Sequence, residues 1–212
     1  MCREDIAQVN EIDHEAFPTL LPPANYKREL SNPVAHYIVA CDEEKEVEEP
    51  DVKSMPETRR SGFVSRVKRL FNYDHFGGNG PSQSSGGYVI GFAGIWRVTD
   101  EVHITNIAVR KAYHRQGIGE LLLVGLIDLA VKLNARIITL EVRASNIAAQ
   151  ALYSKYGFTQ VGLRRCYYID NREDGVLMST ENIASSAFQS RLRQLKKAHS
   201  LRDVITLHES VR

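Results

Sequence analysis

Between Glu101 and Phe158 the chain alternates apolar runs of two different periods, and this alternation restricts the fold more than any other feature. "EVHITNIAV" and "RIITLEVR" have strand length and are rich in β-branched residues. Between them, "RKAYHRQGIGELLLVGLIDLAVKLNA" puts Ile118, Leu122, Leu126, Leu129 and Leu133 on one stripe of a long helix. "SNIAAQALYSKYG" predicts a further helix, with Ser145 or Asn146 as its N-cap and Gly157 just past its last turn. Strands alternating with helices predict an α/β domain. "RIITLEVR" reads as apolar on both faces, as expected of a strand covered by helices.

The flanking segments extend this pattern. Ile6, Val9, Ile12 and Phe17 recur at roughly helical intervals, Pro18, Pro22 and Pro23 end that run, and "ANYKREL" predicts a short second helix. "AHYIVACD" reads as a strand. "YVIGFAGIWRVTD" and "EVHITNIAV" predict a hairpin turning at Asp100, and "FTQVGLRRCYYI" and "DGVLMST" two more strands. Residues 43–86 differ in character: an acidic run, a basic amphipathic piece and "GGNGPSQSSGG". They are expected to form a flexible surface insertion between two strands, far from the chemistry and replaceable by a short turn. From about Asn182 to Arg212 the chain is polar and basic with helical spacing. The expected division is therefore a domain over 1–180, interrupted by 43–86, and a basic helical tail over 181–212.

Several function classes recede on composition. With 212 residues, 43% of them hydrophobic, the chain can bury one sizeable core. Its net charge of +1 implies no polyanionic partner by bulk electrostatics, so the basic runs at Arg59–Arg69 and Arg191–Lys197 are expected to be solvated faces, with at most a weak ribosome, nucleic-acid or membrane-surface contact. Three cysteines outside any CxxC pair suit a reducing compartment. No apolar run reaches membrane-spanning length, and the charged start is unlike a secretory signal. These features predict a cytoplasmic protein. His36, His75, His103 and His114 show no metal-ligand spacing, so no metal is expected.

"HRQGIGE", His114–Glu120, carries the clearest chemical signal. Glycines at 117 and 119 permit close backbone approach, and a helix start aims free N–H groups and a positive dipole end at an anion. A phosphate or pyrophosphate fits there. The spacing is neither a P-loop nor GxGxxG, and a helix-start loop that binds nothing has the same look. Glu141 at a strand end is equally a solvated residue, and Tyr153, beside Leu152 and Tyr156, is at such spacing more often core than catalyst. Tyr167 and Tyr168 are either strand filling or the lining of a groove.

Taken together, "NIAVRKAYHRQGIGELLL" and "LEVRASNIAAQALYSKYGF" resemble the GNAT acetyltransferase superfamily, most of all the ribosomal-protein-alanine N-acetyltransferases of the RimI type. The resemblance spans roughly residues 4–180 outside the insertion. It implies a mixed, mostly antiparallel sheet flanked by helices, and an acetyl-CoA-dependent transfer to a protein N-terminal amine, the N-terminal alanine of a small-subunit ribosomal protein above all. A broader N-terminal or small-amine acetyltransferase, or a non-catalytic acetyl-CoA- or ribosome-binding module, are the alternatives. By resemblance, Ile107, Ala108 and Val109 hold the thioester arm and Arg115, Gln116, Gly117, Ile118, Gly119 and Glu120 the pyrophosphate. Asn146 contacts the cofactor, Glu141 is the general base and Tyr153 the general acid. Tyr167, Tyr168 and the "LLPP" loop with Leu21 are expected to line the acceptor groove. His114 departs from the usual Gln or Arg at the loop start. The first strand of the family also has no counterpart before "EDIAQV", so the strand at His36–Cys41 is expected to be an open edge, unless translation begins upstream.

Overall fold

The computed structural model describes residues 1–19, 24–46, 87–199 and 205–209. The chain opens with helices α1 (Ile6–Ala16) and α2 (Tyr26–Glu29) and then runs into strands β1 (Ala35–Glu46), β2 (Gly87–Val98) and β3 (Glu101–Val109). A 3₁₀ turn at Lys111–Tyr113 precedes α3 (Ile118–Lys132), β4 (Ile137–Arg143) and α4 (Ile147–Lys155). Strands β5 (Phe158–Tyr168) and β6 (Glu173–Thr180), helix α5 (Ser186–His199) and strand β7 (Ile205–Glu209) complete it. One sheet holds all seven strands in the order β5-β6-β4-β3-β2-β1-β7. Among the described residues only β3 and β4 pair parallel.

Two apolar clusters cover the two faces. On one side α3 buries Ile118, Leu122, Leu126 and Leu129 against Ile38, Val102, Ile138, Leu140 and Val142, joined by Leu192 of α5. On the other, Val9, Ile12 and Tyr26 of α1 and α2 cover Tyr37, Val39, Val89 and Phe92. The β4 strand differs from its expected character. Its burial alternates, with Ile138, Leu140 and Val142 buried and Ile137, Thr139, Glu141 and Arg143 only partly so. One of its faces thus carries polar side chains that α1 and α2 do not seal.

The expected open edge on β1 is absent. Strand β7, from the segment expected to be helical throughout, pairs antiparallel with β1 from Ile38↔Glu209 to Asp42↔Ile205. Leu207 of β7 packs against the α3-side cluster. The polar character of the segment hid a strand whose edge position asks for only one partner and little apolar surface. Arg191, Arg193 and Lys197 of that segment are exposed, as a solvated face requires, while Arg191 also donates to the last carbonyls of α4, Ser154 and Lys155, and Lys196 pairs with Asp128. Residues 47–86 lie outside the described residues, while Glu46 and Gly87 at their two ends are Cα partners in the β1–β2 ladder.

A polar network ties α1 and α2 to β3. The Tyr26 hydroxyl donates to buried Asp13 at 2.5 Å and accepts from Asn106 Nδ2 at 3.0 Å. Burial pushes the Asp13 carboxyl above its ordinary range. Gly94 lies opposite Asn106, and a Cβ there would stand 2.4 Å from Tyr37 Cε1 and 2.6 Å from Asn106 Oδ1. Gly94→Ala is therefore expected to destabilise the protein by about 1–3 kcal/mol through overpacking. Thermal unfolding checks this, and an unchanged midpoint rejects it.

Candidate active site

The ladder between β3 and β4 is short. It pairs Glu101–Ile104 with Ile137–Leu140 and stops. Beyond that point β3 continues to Val109 on the β2 side, while β4 continues to Arg143 on the β6 side. The sheet therefore opens between Thr105–Val109 and Glu141–Arg143. A register shift opposite Thr105, between Gly94 and Ile95 of β2, coincides with the start of the gap. Bulges re-aim strands in this way.

Backbone direction along β3 follows from two bonds. Arg110 N–H donates to Ile90 O on β2 at 2.9 Å. Main-chain groups alternate sides along a strand, so the Val109 N–H and C=O point away from β2, into the gap. The Val109 carbonyl accepts from His114 Nε2 at 2.9 Å. His114, the residue that departs from the family pattern, thus pins the start of the loop to the end of β3, a role read from the fold and not from the spacing.

The loop then curls through positive φ at Arg115 (62°) and Gly117 (84°), and Leu121 N–H to Gly117 O begins the α3 ladder. The N–H groups from Gly117 to Glu120 therefore open the helix with no carbonyl one turn behind them. Beside Gly119 there is room: a Cβ there would meet only Val109 Cγ2, at 4.0 Å. Gln116 donates from Nε2 to Ala112 O. The Glu120 side chain is committed elsewhere, accepting from Tyr156 Oη at 2.7 Å and from Lys155 Nζ. What Glu120 can present to an anion is its backbone. Asn146 caps α4, its Oδ1 accepting from Ala149 N–H at 3.1 Å, and Gly157 takes φ +90° as the residue after the helix.

Glu141 is the first β4 residue past the last β3–β4 pair, on the face carrying α1 and α2. Its side chain is 5% exposed and its oxygens are divided between two partners: Oε2 faces His103 Nε2 at 3.0 Å, and Oε1 faces Arg164 Nη2 at 2.9 Å. The spacing did not single out His103 or Arg164 for this place. Cross-strand register brings them there, and no local pattern encodes it.

Tyr153 comes from the opposite face. It packs beside the α3-side cluster, its ring 5.8 Å from that of Phe158. Burial pushes its hydroxyl up to about 12, with a smaller contribution from Tyr168. Burial likewise pushes Tyr168 up to about 12, opposed by Arg143 and reinforced in part by Glu141. Tyr168 therefore lies within electrostatic reach of both Glu141 and Tyr153.

Tyr167 and Tyr168 stack edge to face at 5.2 Å. They end β5 just past a bulge where Cys166 takes φ +51° and its N–H donates to Asp174 Oδ1. Arg143 lies 4.0 Å over the Tyr168 ring and pairs with Asp170 and Glu173. Asp170 also accepts from Thr19 at 2.8 Å, so the chain just before residue 20 reaches the β5–β6 turn. Leu21 lies outside the described residues. Among the described residues no group of three or more His, Cys, Asp or Glu could hold a metal, and no helix is long and apolar enough to cross a membrane.

The Acetyltransferase (GNAT) family model matches residues 54–158. A Bacillus subtilis (strain 168) protein provisionally named ribosomal protein bS18-alanine N-acetyltransferase is 33% identical over 176 residues, covering 82% of this chain and 88% of that protein. N-alpha-acetyltransferase RimI of Mycobacterium tuberculosis (strain ATCC 25618 / H37Rv) is 30% identical over 188 residues, 86% of this chain and 90% of that protein. Ribosomal protein bS18-alanine N-acetyltransferase of Escherichia coli (strain K12) is 46% identical over 95 residues, 44% of this chain and 64% of that protein.

Proposed function

The chain belongs to the GNAT acetyltransferase family, and from that premise we propose that it moves acetyl from acetyl-CoA to the α-amine of a protein N-terminus, the N-terminal alanine of a small-subunit ribosomal protein. The observation that carries the reading is the opening between β3 and β4. A buried carboxylate borders it on one face, a glycine-lined helix start borders it on the other, and the Val109 N–H points into it. Such an acceptor sets the work of the protein in the cytoplasm.

When bound, acetyl-CoA supplies an acyl thioester. The gap-facing edge of Ile107, Ala108 and Val109 holds the arm of that molecule as a further strand would be held. The N–H groups of the turn from Arg115 and Gln116 into Gly117, Ile118, Gly119 and Glu120 hold its pyrophosphate. Asn146, at the start of α4, adds a polar contact.

A peptide α-amine has an ordinary pKa of about 7.7–8.0, so near neutrality much of it is protonated and cannot attack. Glu141 removes that proton, directly or through water. The Val109 N–H faces the charge that develops on the carbonyl oxygen. Tyr153, with its pKa pushed up to about 12 by burial, stays protonated across the working range and donates toward the departing sulfur. Tyr167 and Tyr168 line the side from which the amine arrives. The direct test is incubation with acetyl-CoA and a panel of N-terminal peptides, followed by mass spectrometry. Acetylation of the α-amine of Ala-starting peptides, and none of N-terminally blocked ones, supports the reading. Modification of small amines alone, or cofactor binding with no turnover, overturns it.

Gly119→Val is expected to keep the fold, since the position beside it is open apart from Val109, while filling the space a pyrophosphate needs. Calorimetry should show acetyl-CoA affinity lower by about tenfold or more, the scale of about 1.4 kcal/mol of lost contact. Wild-type affinity in the folded variant rejects this placement.

A further inference from the structure

We propose that His103 is a positioning residue that aims the Glu141 carboxylate, and that Thr139 sets its tautomer. The inference rests on Glu141 being the base.

The three side chains form a line on one face of the sheet. His103 on β3 is the register partner of Thr139 on β4, and its Nδ1 lies 3.0 Å from Thr139 Oγ1. Its Nε2 lies 3.0 Å from Glu141 Oε2. An ionised carboxylate only accepts hydrogen bonds, so the proton of the neutral ring sits on Nε2. Nδ1 is then the acceptor, and the threonine hydroxyl is the donor that fits it. A hydroxyl in this place favours the tautomer that can hold the carboxylate.

The placement is specific. Glu141 sits where β4 has just lost β3 as its neighbour, so the ladder no longer constrains that side of its backbone. Its side chain must be aimed by something else. Arg164 holds Oε1, but its side chain is 54% exposed and its guanidinium lies over Tyr167, 5.4 Å from the ring centre. His103 is 33% exposed, anchored through Thr139 inside the last intact stretch of the β3–β4 ladder. The imidazole therefore carries the register of the paired sheet across to the first unpaired side chain. Each carboxylate oxygen keeps a lone pair beyond these contacts, so the base is held without being consumed.

Four variants test this with peptide and acetyl-CoA, each checked for thermal midpoint and for cofactor affinity. Glu141→Gln comes first; if it turns over like the wild type, both the base reading and this inference fall. If it is inactive, His103→Leu should lower kcat by about tenfold to a hundredfold, part of what a positioned base supplies, with cofactor affinity unchanged. His103→Gln, whose amide N–H can reach the same oxygen, should recover most of that loss. Thr139→Val should lower kcat by a smaller factor, because Nδ1 loses its donor and the ring is free to present the other tautomer. Wild-type kcat in His103→Leu overturns the inference while leaving the base in place, and so does His103→Gln failing as badly as His103→Leu.

Discussion

Glu141→Gln lowers peptide turnover by about two to four orders of magnitude, the range a positioned general base contributes, and leaves acetyl-CoA affinity near wild type. The glutamine has almost the same shape but cannot take the proton of the α-ammonium. Its deficit should also depend on pH in a definite sense. Above the amine's ordinary pKa of about 7.7–8.0 the acceptor arrives already deprotonated and needs the base less. The gap between variant and wild type should therefore narrow as pH rises toward 9 and widen as it falls toward 6. Steady-state kinetics with an Ala-starting peptide across that span measures it. Equal turnover at every pH removes Glu141 from the mechanism.

Deleting residues 200–212 is expected to cost stability and to create a self-associating protein. The deletion removes β7 and bares the edge of β1 from Ile38 to Asp42, a stretch whose Val39 and Ala40 are fully buried in the intact fold. Leu207 leaves the α3-side cluster with it. A half-buried leucine is worth about 1–2 kcal/mol, and each ladder hydrogen bond about 0.5–1.5 kcal/mol net. For a protein of this size the melting midpoint should fall by about 5–10 °C. An unpaired edge is a template for a second chain, so size-exclusion chromatography should show concentration-dependent larger species. A peptide spanning residues 203–212 should reverse both effects. A truncated chain that melts and elutes like the full one would show that β7 contributes little.

Much of the architecture is legible in residue order because it depends on neighbours a few positions apart. The stripe from Ile118 to Leu129 specifies α3 through helical periodicity. Asn146 and Gly157 mark the two ends of α4 through a side-chain cap and a left-handed residue. Asp100 lies in the turn between β2 and β3. The loop at His114–Glu120 and the strand end at Glu141 stand out as candidates for the same local reason, and the family pattern joins them.

What surrounds Glu141 depended on pairings between distant parts of the chain. His103 reaches it only because β3 and β4 are in parallel register at Ile104↔Leu140, and Arg164 only because β5 lies two strands away across β6. The same holds for β7. Nothing in "ITLHE" names β1 as its partner; the free edge beside Ile38–Asp42 and the space next to Gly125, where Leu207 Cδ1 lies 2.7 Å from the position of a Cβ, exist only once the sheet is assembled. Local periodicity reports which face of an element is apolar. Register, edge completion and the point where β3 and β4 part are set by the competition among whole strands for backbone partners, and that competition is decided in three dimensions.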